Sequence, residues 1–431
     1  MDPSAPKASR KRRLWPGGSE RCFRLHPGSG ALGFTPDARS KDGPRLAAAA
    51  LFAITGPGMP KAAIFSTNFL EYSQTFVHEE ITHHRRYDVE VFARKRHNPE
   101  RFPFEPLHLG GLRYAVMRRD AGFDRVFRER DFALVHGHFG TGSLYALPYA
   151  ERFGLPLVVT FHGYDAPLLR SYARLIPKNW PYALLAPTLL PRITLGLCAS
   201  KELLEMVAEA GVPRDRLRLY HLGIDLSRFR FAGRRPRARV VMVGRFVEKK
   251  GFEYGIRAFA RALAAGADAE LVIVGSGELG PRLRDVVREL GVTAHVDFRG
   301  VLDSNQIADL LSETDVLMAP SVVAADGDRE SGVIALKEAS ASGAAVLGTY
   351  HGGIPEIIDD GQTGFLVPER HPELLGERLH TLLSDRERAR TMGGAGRLKM
   401  EREYDLIRQV DELETRYDEA IERFAGRSGS A

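Results

Sequence analysis

From Met59 onward, short apolar runs alternate with stretches in which apolar residues recur every three or four positions. The runs Ala62–Ser66, Val89–Arg94, Leu134–His138, Leu157–Phe161, Thr194–Ala199 and Leu217–His221 read as strands. A second series follows at Val240–Val243, Glu270–Val274, His295–Phe298, Val316–Ala319 and Ala345–Leu347. Helical periodicity occupies the intervals, for example Tyr254–Ala265, Pro281–Leu290, Ser304–Glu313 and Val333–Ser342. Strand–helix alternation of this kind predicts an α/β class, with parallel sheets that carry helices on both faces. Phe231–Arg239 (FAGRRPRAR) breaks the alternation and reads as a linker. The expected organisation is an N-terminal doubly wound domain over 59–232, a C-terminal one over 233–404, and a last segment over 405–431. Its helix, about Asp405–Phe424, has no strand after it.

Open α/β sheets bind ligands beyond the carboxyl ends of their strands. The residues expected there include Ser66-Thr67-Asn68, His136-Gly137-His138, Phe161-His162-Gly163, Gly244-Arg245, Gly275-Ser276-Gly277, Ser321 and His351-Gly352-Gly353. Two such domains face to face would gather them around one cleft. The stretch Ala325–Val367 is the most informative, because it places Glu330 and Glu338 eight positions apart across a helix start. Ser331, Gly332 and Val333 would offer free backbone N–H groups at that helix N-terminus, an anion site. Glu338 lies among Ile334, Ala335, Leu336 and Ala339, and a buried acid needs partners. Arg245 and Lys250 flank a turn just after a strand, where two cations can neutralise a diphosphate. Two carboxylates beside a phosphate cradle suit a ligand with a diphosphate between two hydroxyl-bearing sugars.

The Glu330/Glu338 pair resembles the E-x7-E motif of retaining glycosyltransferases of family 4, which have the GT-B fold. Gly244-Arg245-Phe246-Val247-Glu248-Lys249-Lys250-Gly251 is similar to that family's G-R-x-x-x-x-K-G loop. Val274-Gly275-Ser276-Gly277, His221-Leu222-Gly223-Ile224-Asp225 and Thr160-Phe161-His162-Gly163 resemble three further motifs, in the family's order over roughly 59–420. The resemblance implies two Rossmann-like domains facing a central cleft, with a C-terminal helix crossing back to the N-domain. It implies transfer of a hexosyl unit from a nucleotide-diphosphate sugar to a hydroxyl, with retention and without a metal or other cofactor. His162, Arg245, Lys250 and Glu330 would then serve catalysis. Arg245, Lys250, Ser276, Val301, Glu330, Ser331, Gly332, Val333 and Glu338 would hold the donor, with the base near Gly300-Val301-Leu302. Asn68, Glu71 and His138 would face the acceptor. For His162 a hydrogen-bonded core histidine is the competing reading, and of His136 and His138 one would face the acceptor cleft and the other the core. The run Asn68–Glu80 and the loop Ala324–Glu330 are most similar to the exopolysaccharide branch, of colanic-acid and amylovoran type. That branch implies a lipid-linked saccharide acceptor at the inner membrane face. A glycolipid or small-molecule acceptor is the alternative.

Bulk composition changes this picture little. The 431 residues carry a net charge of +6, but residues 1–58 hold ten Lys/Arg against four Asp/Glu. Residues 59–431 balance at 51 against 51, so the basic character is no argument for nucleic-acid binding. The 1–58 extension is rich in Arg, Gly, Pro and Ser and reads as disorder, or as a start mis-assigned ahead of Met59. Two cysteines, Cys22 and Cys198, fit a reducing cytosol and no disulfide framework. Residues 85–130 hold twelve Arg/Lys and seven Asp/Glu interleaved with apolar residues. They could meet an anionic membrane, or form an amphipathic helix packed on the sheet. Three motifs read as coincidences. Gly275–Gly280 matches G-x-G-x-x-G, which keeps an NAD-dependent oxidoreductase as a minor alternative; a catalytically silent binding protein is another. Asp326-Gly327-Asp328 reads as loop. The histidines of His78–His83 lie five apart, so they do not share a helix face for zinc.

Overall fold

The computed structural model describes residues 58–71, 74–170, 172–231 and 237–428. The expected extension before Gly58 and the middle of the expected linker lie outside the described residues. The first sheet contains β1 (Lys61–Phe69), β2 (Asp88–Arg96), β3 (Leu107–Leu109), β4 (Phe132–His138), β5 (Leu157–Phe161), β6 (Leu195–Cys198) and β7 (Leu217–Leu219), ordered β3-β2-β1-β4-β5-β6-β7. The second contains β8 (Ala238–Val243), β9 (Ala269–Val274), β10 (Val296–Gly300), β11 (Val316–Ala319), β12 (Ala345–Thr349) and β13 (Gly364–Val367), ordered β10-β9-β8-β11-β12-β13. Every pairing within both sheets is parallel. The chain thus folds as two doubly wound α/β units. Each reverses its winding beside its first strand, between β1 and β4 and between β8 and β11. Such switch points open a crevice where adjacent loops part.

The strand sequences explain the double winding. Val240, Met242, Leu271, Ile273, Val316 and Met318 enter one apolar layer of the second sheet. Their alternates Val241, Val272, Val274, Leu317 and Ala319 enter the layer on the opposite face. Because both faces are covered, the strands are continuous apolar runs and lack polar alternation. Two strands were not expected from the sequence. β3 has three residues, with His108 between two leucines, at the edge of the first sheet, and β13 has four at the edge of the second. The expected linker also proves too long at its C-terminal end, because Ala238 and Arg239 belong to β8. Arg239 is tolerated in a strand because Glu270 and Glu313 accept its guanidinium hydrogens at 2.7 and 2.9 Å.

The last helix, Leu406–Ser428, returns to the first unit. Its Leu413, Tyr417, Ala420 and Ile421 are buried in the N-domain core. Glu414 on the same face is fully buried and accepts from the backbone N–H groups of Arg85 and Arg86 at 2.7 and 2.8 Å, and from His84 Nδ1 at 3.2 Å. The two chain crossings meet where Ile224 N–H donates to Tyr404 O and Leu406 N–H donates to Ile224 O. Lys337 fastens the same junction. Its buried ammonium donates to Leu222 O at 2.8 Å and lies 4.5 Å above the Tyr404 ring. Burial pulls its pKa down to about 7.

Glu414 yields a stability prediction. Burial would raise its pKa, but the hydrogen bonds from His84, Arg86 and Arg85 outweigh burial and hold it below the ordinary carboxylate value. A depressed carboxyl contributes stability above its unfolded pKa and loses it as pH falls through the folded value. Glu414→Ala should therefore cost about 2–4 kcal/mol in urea unfolding near neutral pH, because it strands buried donors. The gap from wild type should narrow in acid below the carboxylate range. An unchanged unfolding midpoint would show that the crossover helix is not anchored there.

Candidate active site

The C-domain side of the cleft is built by the loop after β8 and the segment between β11 and the helix Ile334–Ala341. These two segments are tied together by Val322 N–H to Lys249 O at 2.9 Å and Ala325 N–H to Glu248 Oε2 at 2.8 Å. Glu330 sits between them, 9% exposed. Lys250 Nζ donates to Glu330 Oε2 at 3.0 Å, and Lys249 Nζ stands 3.8 Å from Oε1. Burial would raise the Glu330 pKa, but Lys250 and Lys249 together overcome it and hold the carboxyl at about 2. Glu330 Oε1 is buried and accepts no hydrogen bond. The Glu330 N–H donates to His351 Nε2 at 2.9 Å, while His351 Nδ1 lies 2.6 Å from Glu369 Oε1. Because Nε2 accepts, the His351 proton sits on Nδ1, where Glu369 receives it.

Ser331, Gly332 and Val333 precede the helix Ile334–Ala341, and none of their N–H groups donates a hydrogen bond among the described residues. Arg245 is exposed at the end of β8, with no side-chain partner among the described residues. Ser276 and Val301 are exposed at the ends of β9 and β10. Glu338 is half-buried on the helix and faces the Arg228–Glu79 ion pair. Burial pushes its carboxyl up to about 7, with Arg228 opposing and Glu79 reinforcing the shift. A carboxyl balanced there can donate to a ligand hydroxyl or accept from it. Beside this ion pair, Thr75, His78, Arg101, Asp303 and Asn305 help to line an interdomain cavity of about 280 Å³.

The N-domain closes on this surface. Ser200 Oγ is 3.0 Å from Ser331 Oγ, and a side chain at Gly163 would lie 3.4 Å from Ser331 Cβ. This contact brings the His162-Gly163 turn over the Glu330 loop. Asp165 fixes the turn from below by accepting from Gly140 N–H at 2.8 Å and His162 N–H at 3.3 Å. The His162 ring lies 4.4 Å from the Phe139 ring and 5.0 Å from Phe76, and its Nε2 is 3.1 Å from His138 Nδ1. His138 is itself buried, so it reaches the cleft only through His162. His136 is also buried, with Tyr417 and Thr160 hydroxyls at 2.7 Å from its two nitrogens. Asn68 and Glu71 hold each other at 3.3 Å at the end of β1, apart from this cluster.

The structure adds residues that sequence reasoning passed over. Glu80 appeared only at the end of the run Asn68–Glu80 and inside a discounted zinc-like run, yet it is buried against His138 and Tyr220. Its position on one helix face with Val77 and Ile81 was the available signal. Glu80, His136 and His138 bring one oxygen and two nitrogens within 4.8 Å of one another. Both His136 nitrogens are already engaged, by the Tyr417 and Thr160 hydroxyls, so His136 has no nitrogen left for a metal. Asp328 of the D-G-D run pairs with Lys249 at 3.0 Å. The first two G-x-G-x-x-G glycines are required by loop packing: a Cβ at Gly275, which has φ +133°, would lie 1.9 Å from Gly244 O, and one at Gly277 2.6 Å from Phe246 O.

Residues 77–228 match the family model described as Glycosyltransferase Family 4, and residues 225–399 match that described as Glycosyl transferases group 1. WcaL of Salmonella typhimurium, named for a glycosyltransferase role in colanic acid biosynthesis, is 28% identical over 247 residues, 56% of this chain and 59% of that protein. The amylovoran biosynthesis glycosyltransferase AmsK of Erwinia amylovora is 31% identical over 210 residues, 47% of this chain and 51% of that one. The chain thus spans about half the length of the curated relatives it matches. Among solved structures, Anabaena Alr3699/HepE in complex with UDP and glucose aligns with a TM-score of 0.68 at 15% identity, covering 83% of this chain and 98% of that one. That likeness concerns the fold. Residues 77–228 are a glycosyltransferase family 4 domain and residues 225–399 a glycosyl transferases group 1 domain, and together they build a GT-B fold.

Proposed function

We propose that this protein is a retaining hexosyltransferase that moves a sugar from a nucleoside-diphosphate donor to a hydroxyl of a saccharide acceptor. The observation that carries the reading is Glu330, a buried carboxylate locked ionised by two lysines, with one oxygen left without a hydrogen bond. An unpaired buried acceptor is costly, so a ligand donor such as a sugar hydroxyl is its natural complement. Beside it, Lys250, Arg245 and the free N–H groups of Ser331, Gly332 and Val333 offer positive charge for a diphosphate. Charge develops on that group as the glycosidic bond breaks, and preorganised donors stabilise it without reorganisation. Because protein cations and a helix terminus supply this charge, the reaction needs no metal. Glu338, beside Arg228, would meet the ribose hydroxyls, and the backbone near Val301 the base. The leaving phosphate itself would help to take the acceptor proton. Names of relatives such as WcaL and AmsK favour exopolysaccharide synthesis.

The same reading includes contact with an anionic membrane. In residues 85–130, the helix Ala121–Glu129 buries Phe123 and Phe127 on the sheet and turns Arg125 and Arg128 outward, an ordinary amphipathic packing. Leu112, Val116 and Met117 differ, because they are 94%, 80% and 63% exposed beside exposed Arg113 and Arg119. Single apolar residues at a surface are common, but a cluster rimmed by arginines suits a lipid headgroup layer. No helix among the described residues is long and apolar enough to cross a membrane. A lipid-linked acceptor would be met at that surface.

Glu330→Ala and Lys250→Ala should each lower transfer from the cognate nucleotide sugar at least ~100-fold while unfolding stays cooperative. Near-wild-type rates in both variants would refute the site assignment. In liposome sedimentation, the full chain should pellet with anionic but not neutral vesicles, and Leu112→Asp/Val116→Asp should stay in the supernatant. Absence of salt-sensitive binding by the wild type would end the membrane reading.

A further inference from the structure

A hollow of about 430 Å³ lies on the C-domain, away from the cleft. Thr314 and Asp315 in its wall immediately precede β11, and Gly343 stands just before β12. It therefore opens at the amino ends of these strands, whereas the cleft lies at their carboxyl ends. The reaction proposed above does not use it. Phe229, Phe231, Ala341 and Ala389 give the hollow apolar surface, and Phe231 is 48% exposed. Arg230, Arg390 and Arg397 give it positive charge.

That charge is unmatched. Arg230 and Arg390 are exposed, and neither side chain has a hydrogen bond or ion pair among the described residues. Arg397 donates from Nε to Glu401 at 2.7 Å and from Nη1 to Phe229 O and Ala341 O at 2.8 and 2.7 Å, which leaves its Nη2 over. The carboxylate in the wall, Asp315, is already committed. Its oxygens accept from the Arg239 N–H at 2.9 Å and from Arg386 at 3.1 Å.

The helix Arg386–Glu403 supplies an independent observation. Glycine inside a helix is less favourable than alanine, so each one there calls for a reason. Gly393 has one, because a Cβ would lie 2.0 Å from Gly343 O. Its neighbour Gly394 lines the hollow, and a Cβ there would meet nothing within 4 Å. Packing of the protein does not require that glycine. What its missing side chain secures is room in the hollow. We propose that the hollow binds a small organic anion, with a phosphate-type head held by Arg230, Arg390 and Arg397 and an apolar body lying on Phe231 and over Gly394. Arginine forks match phosphate oxygens, and the volume is that of a metabolite site.

The position makes this ligand a regulator of the donor site. The helix Ile334–Ala341 starts at the free N–H groups of the cleft and ends, roughly 12 Å away, in the wall of the hollow. There Ser342 Oγ donates to Glu338 O at 3.0 Å, and Arg397 ties Ala341 O to the interdomain segment at Phe229 O. An anion drawing on Arg397 bears on both. The coupling rests on the glycosyl-transfer reading. The binding does not.

The test is calorimetric titration of the full chain with 1-naphthyl phosphate, inorganic phosphate and 1-naphthol. One equivalent of naphthyl phosphate should bind, about tenfold or more tighter than either fragment. Arg390→Glu, which reverses a head contact, and Gly394→Leu, which fills the hollow, should each weaken it about tenfold or more. Lys250→Ala, in the cleft, should leave it unchanged. Saturating naphthyl phosphate should also change the affinity for the cognate nucleoside diphosphate about fivefold or more. Absence of binding would overturn the site, as would binding that survives Gly394→Leu and is lost in Lys250→Ala, which would place the probe in the cleft. Should Gly394→Leu fail to unfold cooperatively, Arg390→Glu decides. An unchanged nucleotide affinity would overturn the regulatory role. If the wild type binds no nucleotide, the naphthyl phosphate titration still decides the site, and that failure belongs to the proposed reaction.

Discussion

The Glu330 carboxylate, buried between Lys249 and Lys250, is the constraint on which the cleft depends. A charge that far from water persists only when paired, and here it is paired by two cations from one turn. That pairing fixes the loop after β8 against the loop after β11, the two sides of the second switch point. Its backbone N–H is fixed in turn by His351, whose tautomer is set by Glu369 from beyond β13. Four strand ends, those of β8, β11, β12 and β13, therefore share one electrostatic knot. The helix Ile334–Ala341 starts from it with its first N–H groups free, so anion site and carboxylate come as one unit.

The N-domain contributes a different kind of order. Its half of the cleft rests on a buried polar interior of His84, His136, His138, Glu80, Tyr220, Tyr417 and Glu414. Much of that interior is supplied by the crossover helix. Tyr417 and Glu414 come from the far end of the chain, so the N-domain core cannot be completed until the C-domain has been traversed. Lys337, buried against Leu222 and Tyr404, sits where the two crossings touch.

The α/β class, the two sheets and most strands were legible because strands covered on both faces are unbroken apolar runs. β3 and β13 were not; both lie at sheet edges, and β3 carries His108 between its two leucines. The placement of Glu330, Lys250, Arg245 and Ser331–Val333 was also legible: they fall on strand ends and one helix start, where sequence and topology say the same thing. The buried network behind His162 was hidden. A lone acid such as Glu80 on a short amphipathic helix looks like a surface residue until the strand it faces is known. His138 illustrates the same limit, because alternation along β4 places two histidines in sequence but does not say that both are enclosed. The G-x-G-x-x-G run misleads for a physical reason, since close passage of two protein loops demands glycine as strictly as a pyrophosphate does.

The most direct test of the account is the thermal unfolding of the full chain with UDP, GDP, ADP, their sugar conjugates and NAD, each with and without EDTA. A ligand at ~100 times its dissociation constant adds roughly 2.7 kcal/mol, a readily measured shift. The account predicts stabilisation by one nucleoside diphosphate and its sugar conjugate, unchanged by EDTA. Stabilisation by NAD alone, or by a nucleotide only in the presence of free metal, would contradict it.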